Sequence, residues 1–302
     1  MKAIEIENVT KTFGSLSAVD DLTLSVEEGS IYGFIGPNGS GKTTTLRMIM
    51  NIIYPDRGSI RLLGKASNGA RLENVGYMPE ERGLYKKMKV RELLLFYGEL
   101  RGGRKVDAEV DGWLDRFDLA SRAREKLETL SKGMSQKVQF IATIVPRPDL
   151  LILDEPFTGL DPVNADVIRA ALLELHASGT TIILSTHDMH LAETLCNRIC
   201  MIFRGKKVLD GSLDEIQERY GQDTVRLRTA DGSSALRNLP GVEKILDLGQ
   251  QQELRMVRDV DPQSVLKELV RRTRVLSFEI TRPSLHDIFV RIAGPGAEEE
   301  KP

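Results

Sequence analysis

Nine residues, GPNGSGKTT from Gly36 to Thr44, combine the residue types that hold a chain of phosphates. They match the pattern G-x-x-x-x-G-K-[ST] at each fixed position. The glycines let the loop curl so that backbone amides face phosphate oxygens. Lys42 supplies a positive charge for the β- and γ-phosphates, and Thr43 supplies a hydroxyl ligand for Mg²⁺. The predicted nucleotide-binding residues here are Gly36, Pro37, Asn38, Gly39, Ser40, Gly41, Lys42, Thr43 and Thr44.

A second stretch, LLILDEP from Leu150 to Pro156, carries the acids that would complete such a site. Its apolar residues predict a buried strand, and Asp154 follows at the strand end, placed to hold Mg²⁺ through water. Glu155 is placed to orient and polarise an attacking water. Taken alone, the letters also fit a strand that ends in a solvated acidic turn; beside a phosphate loop they indicate hydrolysis. The chain has no N/T-K-x-D motif for reading guanine.

The elements that must position these residues alternate between strand-like and helix-like segments. A short apolar strand, 31–35, leads into the phosphate loop, and a helix from about Lys42 to Asn51 follows it. Between about 88 and 146 the pattern becomes mostly helical, which predicts an inserted helical subdomain. Strand and helix then alternate again. Residues 1–220 therefore predict an α/β domain of the P-loop NTPase class.

The texture of the sequence changes after Gly221. Short strand-like and helix-like segments follow one another over 222–292 in the order β-α-β-β-α-β, which predicts a small accessory α+β domain with a ferredoxin-like arrangement. The last residues, 293–302, read GPGAEEEKP after an alanine and are expected to be disordered.

Composition and charge limit the classes of function. With 302 residues, 41% hydrophobic and 28% charged, the chain resembles an ordinary globular protein. A net charge of −2 gives no global electrostatic case for nucleic acid, so no direct nucleic-acid partner is expected. The apolar runs are too short to span a bilayer, and the start lacks the apolar region of a signal peptide. We expect an intracellular protein whose membrane contact comes through a partner.

The two cysteines, Cys196 and Cys200, lie four residues apart. A metal site would need further ligands at suitable spacing, and only His187 and His190 are near in the sequence. We expect both cysteines to be small buried hydrophobic residues rather than a zinc site or a disulfide.

Three further motifs, LSKGM at 130–134, TGLDP at 158–162 and STHD at 185–188, occur in this order between and after the phosphate loop and the acids. With those two motifs, they make the first 220 residues resemble the ATPase subunit of an ABC (ATP-binding cassette) transporter. The resemblance implies that the nucleotide is ATP and that Mg²⁺ accompanies it. It also implies that ATP is hydrolysed to ADP and phosphate.

The resemblance assigns roles to further residues. Phe13 matches the aromatic residue that stacks on adenine, with Val19 nearby, although an isolated phenylalanine is more often core. Asp161 matches the aspartate that couples the two sites of a dimer. His187 matches the histidine that contacts the γ-phosphate; without the resemblance it reads as a surface-loop histidine.

The LSKGM motif carries the implication of a dimer. On the residues alone, Ser131 fits the cap of the helix that follows it. In the family this motif lies across the subdomain from the phosphate loop of its own chain, so Ser131 and Gly133 are expected to contact the γ-phosphate bound by a second copy, helped by the positive end of the helix. The resemblance therefore implies a head-to-tail homodimer with two ATP molecules between the copies.

The sequence departs from the common family pattern at three positions. Lys132 and Met134 replace glycine and glutamine of the usual LSGGQ motif, and Glu80 stands where many members carry a glutamine that contacts Mg²⁺ and the membrane partner. A carboxylate also ligates Mg²⁺, so Glu80 is kept as a candidate metal ligand beside Thr43 and Asp154. The stretches YMPEERGLY and RPSLHDIFV resemble the branch of bacterial export ATPases that includes sodium and drug efflux systems.

In the family, separately encoded transmembrane permease subunits dock a short helix on the ATPase. The matching surface here would include Glu80, Glu81, Arg82, Tyr85 and the run 86–89, although a solvated lysine loop explains that run equally well. The resemblance implies a peripheral protein on the cytoplasmic face of the membrane that drives export. The alternatives are a soluble ABC ATPase that acts on ribosomes or DNA, and a binding module with a dead site. The second is disfavoured by Lys42, Asp154, Glu155 and His187.

Overall fold

A computed structural model describes residues 1–66, 74–81, 83–102, 105–220, 224–247, 249–257 and 260–294. Arg82 of the predicted docking surface and residues 295–302 of the predicted tail lie outside these ranges. The chain divides into two compact units, Met1–Gly211 and Ser212–Pro302. The sequence placed the change at Gly221, whereas in the structure the short helix 213–219 belongs to the second unit.

The first unit contains both sheets that surround the phosphate loop. Its strands are β1 (Lys2–Phe13), β2 (Leu16–Glu27), β3 (Ile31–Ile35), β4 (Arg57–Leu62), β5 (Lys65–Ala66), β6 (Val75–Met78), β7 (Leu150–Asp154), β8 (Thr181–Thr186), β9 (Arg198–Phe203) and β10 (Lys206–Gly211). Its α-helices are α1 (Lys42–Ile49), α2 (Val90–Gly102), α3 (Asp107–Arg116), α4 (Lys132–Ile144), α5 (Pro162–Ala177) and α6 (Met189–Leu195).

The central sheet has six strands in the order β10-β9-β3-β8-β7-β6. All neighbouring pairs are parallel except β9 and β10. Every residue of β3, β7 and β8 is buried, as expected for parallel strands covered on both faces. Because the strands are parallel, the segments that follow β3, β7 and β8 leave the same edge of the sheet, which is where open α/β sheets bind ligands. The predicted P-loop fold class is confirmed.

A second, antiparallel sheet has the order β2-β1-β4-β5. Its inner residues share one hydrophobic core with the central sheet and α1; Ile6, Leu24, Tyr32 and Leu46 are members. The sequence did not predict β2, although its twelve residues alternate between exposed and buried along most of their length. The β1–β2 hairpin matters for the site, since Phe13 and Leu16 pair at its closed end.

The predicted helical insertion consists of α2, α3 and α4, with two single-turn 3₁₀ segments, Ala120–Arg122 and Leu127–Thr129, before α4. Phe117 and Phe140 are fully buried, and their ring centroids lie 5.7 Å apart. This packing fixes α4, whose first turn carries the LSKGM motif.

The second unit contains the strands β11 (Thr224–Thr229), β12 (Val242–Asp247), β13 (Gln252–Met256) and β14 (Val275–Thr281), with the helices α7 (Leu213–Arg219), α8 (Pro262–Arg272) and α9 (Leu285–Ala293). Its sheet has the order β12-β13-β11-β14, with all neighbours antiparallel. That order is the ferredoxin-like arrangement predicted from the sequence. The first helix in the predicted β-α-β-β-α-β order is instead a 3₁₀ segment, Gly232–Leu236. Its Leu236 packs with Val225, Leu254 and Leu269 in the core.

Candidate functional site

The phosphate loop connects β3 to α1 in a conformation that glycine permits. Gly36, Gly39 and Gly41 have φ values of 151°, 78° and 110°. A Cβ atom at Gly36 would lie 2.2 Å from the carbonyl oxygen of Ile202, and one at Gly41 would lie 2.3 Å from that of Ala18. The loop is therefore pressed against β9 on one side and β2 on the other, and any larger residue at Gly36 or Gly41 would displace it.

Lys42 is buried at the start of α1. Its Nζ donates hydrogen bonds to the carbonyl oxygens of Gly36 at 2.7 Å and Pro37 at 3.2 Å. Burial lowers the pKa of Lys42, while the carboxylates of Glu155, Asp154 and Glu80 oppose that shift. The ammonium group is thus held inside its own loop, where an anionic ligand would gain a nearby cation.

Asp154 ends β7 and is fully buried, and neither of its carboxylate oxygens has a hydrogen-bond partner in the described part of the chain. Burial raises the pKa of Asp154; the hydroxyls of Ser185 and Thr43 lie close enough to oppose the shift without forming complete hydrogen bonds. The hydroxyl of Ser40 is also buried and unpartnered. Unsatisfied carboxylate and hydroxyl oxygens at one edge of the sheet fit Mg²⁺, a hard cation that prefers oxygen ligands.

Among the described residues, no three His, Cys, Asp or Glu side chains are grouped so that they could hold a metal ion by themselves. An ion at Asp154 and Thr43 would therefore take its remaining ligands from a bound phosphate and from water, as Mg²⁺ does in nucleotide sites. The residues present fit that ion.

Glu155 follows β7 with a left-handed φ of 51°. Its amide donates to the carbonyl oxygen of Ser185 at 3.0 Å. One carboxylate oxygen lies 2.9 Å from Nδ1 of His187, and the other accepts a hydrogen bond from the hydroxyl of Thr158 at 3.2 Å. The side chain of Glu155 is 7% exposed, whereas that of His187 is 51% exposed. These contacts fix the carboxylate 4.0 Å from Nζ of Lys42.

The phosphate loop, Lys42 and Glu155 open onto one cavity of about 770 Å³. Its lining residues are Phe13, Leu16, Ser17, Ala18, Asn38, Gly39, Ser40, Gly41, Lys42, Thr43, Thr44, Glu80, Glu155 and Arg204. Phe13 is half-exposed on this wall, as a residue that stacks on a base must be. The cavity thus joins an aromatic end to a phosphate-binding end.

Some predicted residues do not line the cavity. Val19 is fully buried in the core, where its side chain packs beneath Gly41; the wall is formed instead by Leu16, Ser17 and Ala18. Asp154 lies behind the wall, and His187 reaches the site through Glu155. Val19, predicted near the nucleotide, thus supports the loop at Gly41 and does not line the cavity.

The LSKGM and TGLDP motifs lie against each other, and none of their residues is among those that line the cavity. Ser131 caps α4 by accepting a hydrogen bond from the amide of Met134 at 3.2 Å. Asp161 caps α5 by accepting one from the amide of Asn164 at 2.9 Å. The side chain of Lys132 lies over Gly159, so that a Cβ atom there would meet its Nζ at 3.0 Å. Neither cap residue completes the cavity of its own chain.

Two glutamines of α4 connect the helix to the loops around the cavity. Gln139 donates a hydrogen bond to the carbonyl oxygen of Pro79 at 2.8 Å, beside Glu80, and Gln136 donates to that of Pro156 at 3.1 Å, beside Glu155. Both glutamines are buried. A shift of α4 would therefore be felt at Glu80 and Glu155 together.

Arg204 lies on the cavity wall and was not predicted. It occupies the β9–β10 turn with a φ of 50°, and its guanidinium group lies 5.0 Å from the ring centroid of Phe203. The adjacent Gly205 donates to the carbonyl oxygen of Ser40 and accepts from the amide of Asp20, both at 2.9 Å. An Arg-Gly pair in a tight turn between two strands was the signal available in the sequence.

The two cysteines are free and buried, as predicted. Burial raises the pKa of Cys196 to about 12 and raises that of Cys200 further. Neither residue lines the cavity.

No helix among the described residues has the length and apolar character needed to cross a membrane.

Comparison with known proteins places this site in a wider group. The family described as "ABC transporter" matches residues 19–158, and "ATP-binding protein DrrA1-3-like, C-terminal domain" matches residues 211–293. An ABC transporter ATP-binding protein of Bacillus subtilis (strain 168) is 40% identical over 293 residues, covering 96% of this chain and 98% of that protein. The Nod factor export ATP-binding protein I of Paraburkholderia xenovorans (strain LB400) is 38% identical over 301 residues, covering 97% of each. A solved structure described as the ATP binding subunit of an ABC transporter superposes with a TM-score of 0.69 at 29% identity, covering 72% of this chain and 93% of that one.

Proposed function

The chain belongs to the ABC transporter ATP-binding proteins, and on this premise we propose that it hydrolyses ATP as the motor of a membrane exporter, working as a pair of copies. The observation that carries the proposal is the carboxylate of Glu155, held by His187 and Thr158 at the phosphate end of a cavity whose other end is aromatic. Such a carboxylate suits the activation of a water molecule.

The cavity residues divide the chemical work. Phe13 offers a face to adenine, and the loop amides with Lys42 bind the β- and γ-phosphates. Glu155 accepts a proton from a water molecule as the water oxygen attacks the γ-phosphorus. The bond between the γ-phosphorus and the β–γ bridging oxygen breaks, and ADP and phosphate leave. Asp154, Thr43 and Glu80 are the residues that would hold Mg²⁺, which supplies positive charge to the phosphate oxygens when bound. His187 orients Glu155 from the more exposed side.

A head-to-tail pair of copies is supported by the position of the LSKGM motif. Ser131 and Gly133 open α4 with a hydroxyl group, backbone amides and a positive dipole end, yet they do not line their own cavity. In the proposed pair they contact the γ-phosphate on the second copy. Lys132 adds a cation to a helix start that has no acidic residue, which suits an anionic ligand.

Coupling to a membrane subunit is supported by an exposed pair of aromatic side chains. Tyr85 and Phe96 are both exposed, and their ring centroids lie 6.0 Å apart. Glu80, five residues before Tyr85, lies on the cavity wall. A separately encoded permease that docks here would sense the nucleotide through this loop. The protein would then lie on the cytoplasmic face of the membrane, and the name of the Nod factor export relative favours export as the direction.

Two measurements test the proposal. Purified protein with Mg²⁺ and ATP should release phosphate, and Glu155→Gln should abolish most of that release. In native cells the chain should fractionate with membranes, and crosslinkers placed at residues 80–89 should capture an integral membrane protein. A purely soluble protein with active hydrolysis would refute the transport proposal and favour a soluble ATPase.

A further inference from the structure

One edge of the C-terminal sheet has no partner among the described residues. Strand β14 is the last strand on its side of the sheet, and its outer edge presents unpaired N–H and C=O groups. Proteins usually protect such an edge with proline, lysine, a bulge or a short strand. The seven residues of β14, VLSFEIT, contain neither proline nor lysine, and their one register irregularity lies between Val275 and Ser277, where Leu276 is the extra residue. The edge is therefore available along most of its length.

The opposite edge of the same sheet is different. Strand β12 carries charged residues at three of its six positions, Glu243, Lys244 and Asp247. Charges of this kind discourage pairing with another strand. The two edges thus give a matched contrast within one small sheet.

Apolar side chains follow the open edge. Phe278 pairs with Leu227 across the sheet and Ile280 pairs with Val225, so both lie on the face that packs against the domain core. Leu276 is the extra residue at the irregularity and adjoins Val275, which packs against the core. Leu276 is nevertheless 51% exposed and Ile280 is 43% exposed. The core therefore ends in an apolar strip that its own domain leaves uncovered.

We propose that β14 pairs with β14 of a second copy of this chain, antiparallel, with Phe278 on the two-fold axis. This register pairs the strand with itself from Leu276 to Ile280, with Leu276 opposite Ile280. The single charge, Glu279, faces Ser277 and meets no like charge. An in-register parallel pair would instead place the two Glu279 side chains side by side, which is unfavourable. The strand is self-complementary, and this identifies a second copy as its partner.

The pairing needs no nucleotide, so it is separate from the ATP-dependent contact proposed above. A contact along a single strand edge is small and predicts a weak dimer. Such a dimer would hold two chains together and so raise the local concentration of one ATPase unit around the other. That consequence, unlike the pairing itself, rests on the proposed function.

Cysteine crosslinking of the full chain tests the register. Ser277 and Glu279 are exposed, so Ser277→Cys and Glu279→Cys should each leave the fold intact. Opposed residues of an antiparallel pair have Cα atoms about 4.5–5.5 Å apart, within disulfide range, whereas diagonal residues are about 7–8 Å apart. A mixture of the two variants, without nucleotide, should form a disulfide-linked dimer on mild oxidation, and neither variant alone should. Cys196 and Cys200 are buried and give little background.

A matched control uses the charged edge: a mixture of Lys244→Cys and Leu246→Cys, with the same spacing on β12, should not crosslink. Ile280→Lys should weaken nucleotide-free dimerisation in sedimentation at least about tenfold, since it places a charge opposite Leu276. The proposal is overturned if the Ser277/Glu279 mixture stays monomeric while folded, if β12 crosslinks equally, or if β14 crosslinks only to a different protein. If the wild-type protein does not hydrolyse ATP, the proposed function is refuted, and the expected crosslink is unaffected.

Discussion

Replacing Glu155 by glutamine isolates the chemical step from nucleotide binding. Glutamine has nearly the shape of glutamate and keeps an oxygen for the hydroxyl of Thr158, which lies 3.2 Å from the carboxylate. It cannot accept a proton from water. A positioned general base contributes about 10²–10⁴-fold to rate, so Glu155→Gln should lower turnover by that factor. In free energy this is about 2.7–5.5 kcal/mol of transition-state stabilisation.

The same change should spare or improve nucleotide binding. A carboxylate oxygen of Glu155 lies 4.0 Å from Nζ of Lys42, and the two side chains are only 7% and 6% exposed. Removing the carboxylate frees the lysine charge for phosphate and removes a negative charge from the cavity. The dissociation constant for ATP should therefore stay the same or fall. With hydrolysis blocked, ATP should also shift the protein toward a dimer.

The assay is phosphate release at saturating Mg²⁺ and ATP, with ATP affinity measured by equilibrium binding and association by sedimentation. Glu174→Gln is a matched control, because Glu174 is an exposed helix residue paired with Arg116 on the surface; it should change turnover less than twofold, as surface pairs contribute about 0–1 kcal/mol to stability. If Glu155→Gln hydrolyses ATP at the wild-type rate, Glu155 is not the base.

Four further changes test the other parts of the site. Lys42→Ala should weaken ATP binding itself, measured by equilibrium titration, because the cation beside the phosphates is lost. Ser131→Arg should abolish hydrolysis but not ATP binding by the isolated chain, and mixing it with the Lys42 variant should restore part of the activity; a fully active Ser131→Arg protein would exclude composite sites. Glu80→Ala should reduce Mg²⁺-dependent turnover, and coupling to a permease, more than it reduces ATP binding; unchanged coupled activity would mark Glu80 as an ordinary exposed acid. Asp154→Asn should abolish Mg²⁺-dependent hydrolysis yet raise the melting temperature of the nucleotide-free protein at pH 7. Burial raises the folded-state pKa of Asp154 above its ordinary 3.8. At pH values between 3.8 and the raised pKa the folded chain therefore binds more protons than the unfolded chain, and its stability falls as the pH rises through that range. Equal melting temperatures of the variant and the wild type at pH 7 would contradict this.

The phosphate loop and the acids at the end of β7 were predictable because their chemistry is local. Gly36 and Gly41 fold a short loop between a strand and a helix, and the apolar run before Asp154 specifies a buried strand. Each of these motifs can be recognised from a short run of neighbouring residues. The strand order of the C-terminal domain was also predictable, since short alternating segments with turns between them leave few topologies.

Strand β2 and the residues it places at the cavity could not be predicted in the same way. Its alternation is visible in the sequence, but only pairing with β1 closes the hairpin that carries Phe13 and Leu16 to the cavity. Val19 illustrates the consequence: sequence position puts it near the nucleotide, while the pleat of the strand turns its side chain into the core.

The amino-acid sequence by itself determined which groups this protein brings to a phosphate: glycine amides, one lysine, hydroxyls and carboxylates, because residue type fixes donor, acceptor and charge. Only the tertiary structure decided which of these groups are short of partners. The carboxylate of Asp154 is buried with no hydrogen-bond partner among the described residues, and Arg204, 168 residues after Gly36, joins the cavity through a turn bonded to Ser40. How the sheets and helices pack decides which side chains are buried and which residues meet across the chain. Burial and the available partners then set the free-energy cost of a charged group that has no ligand.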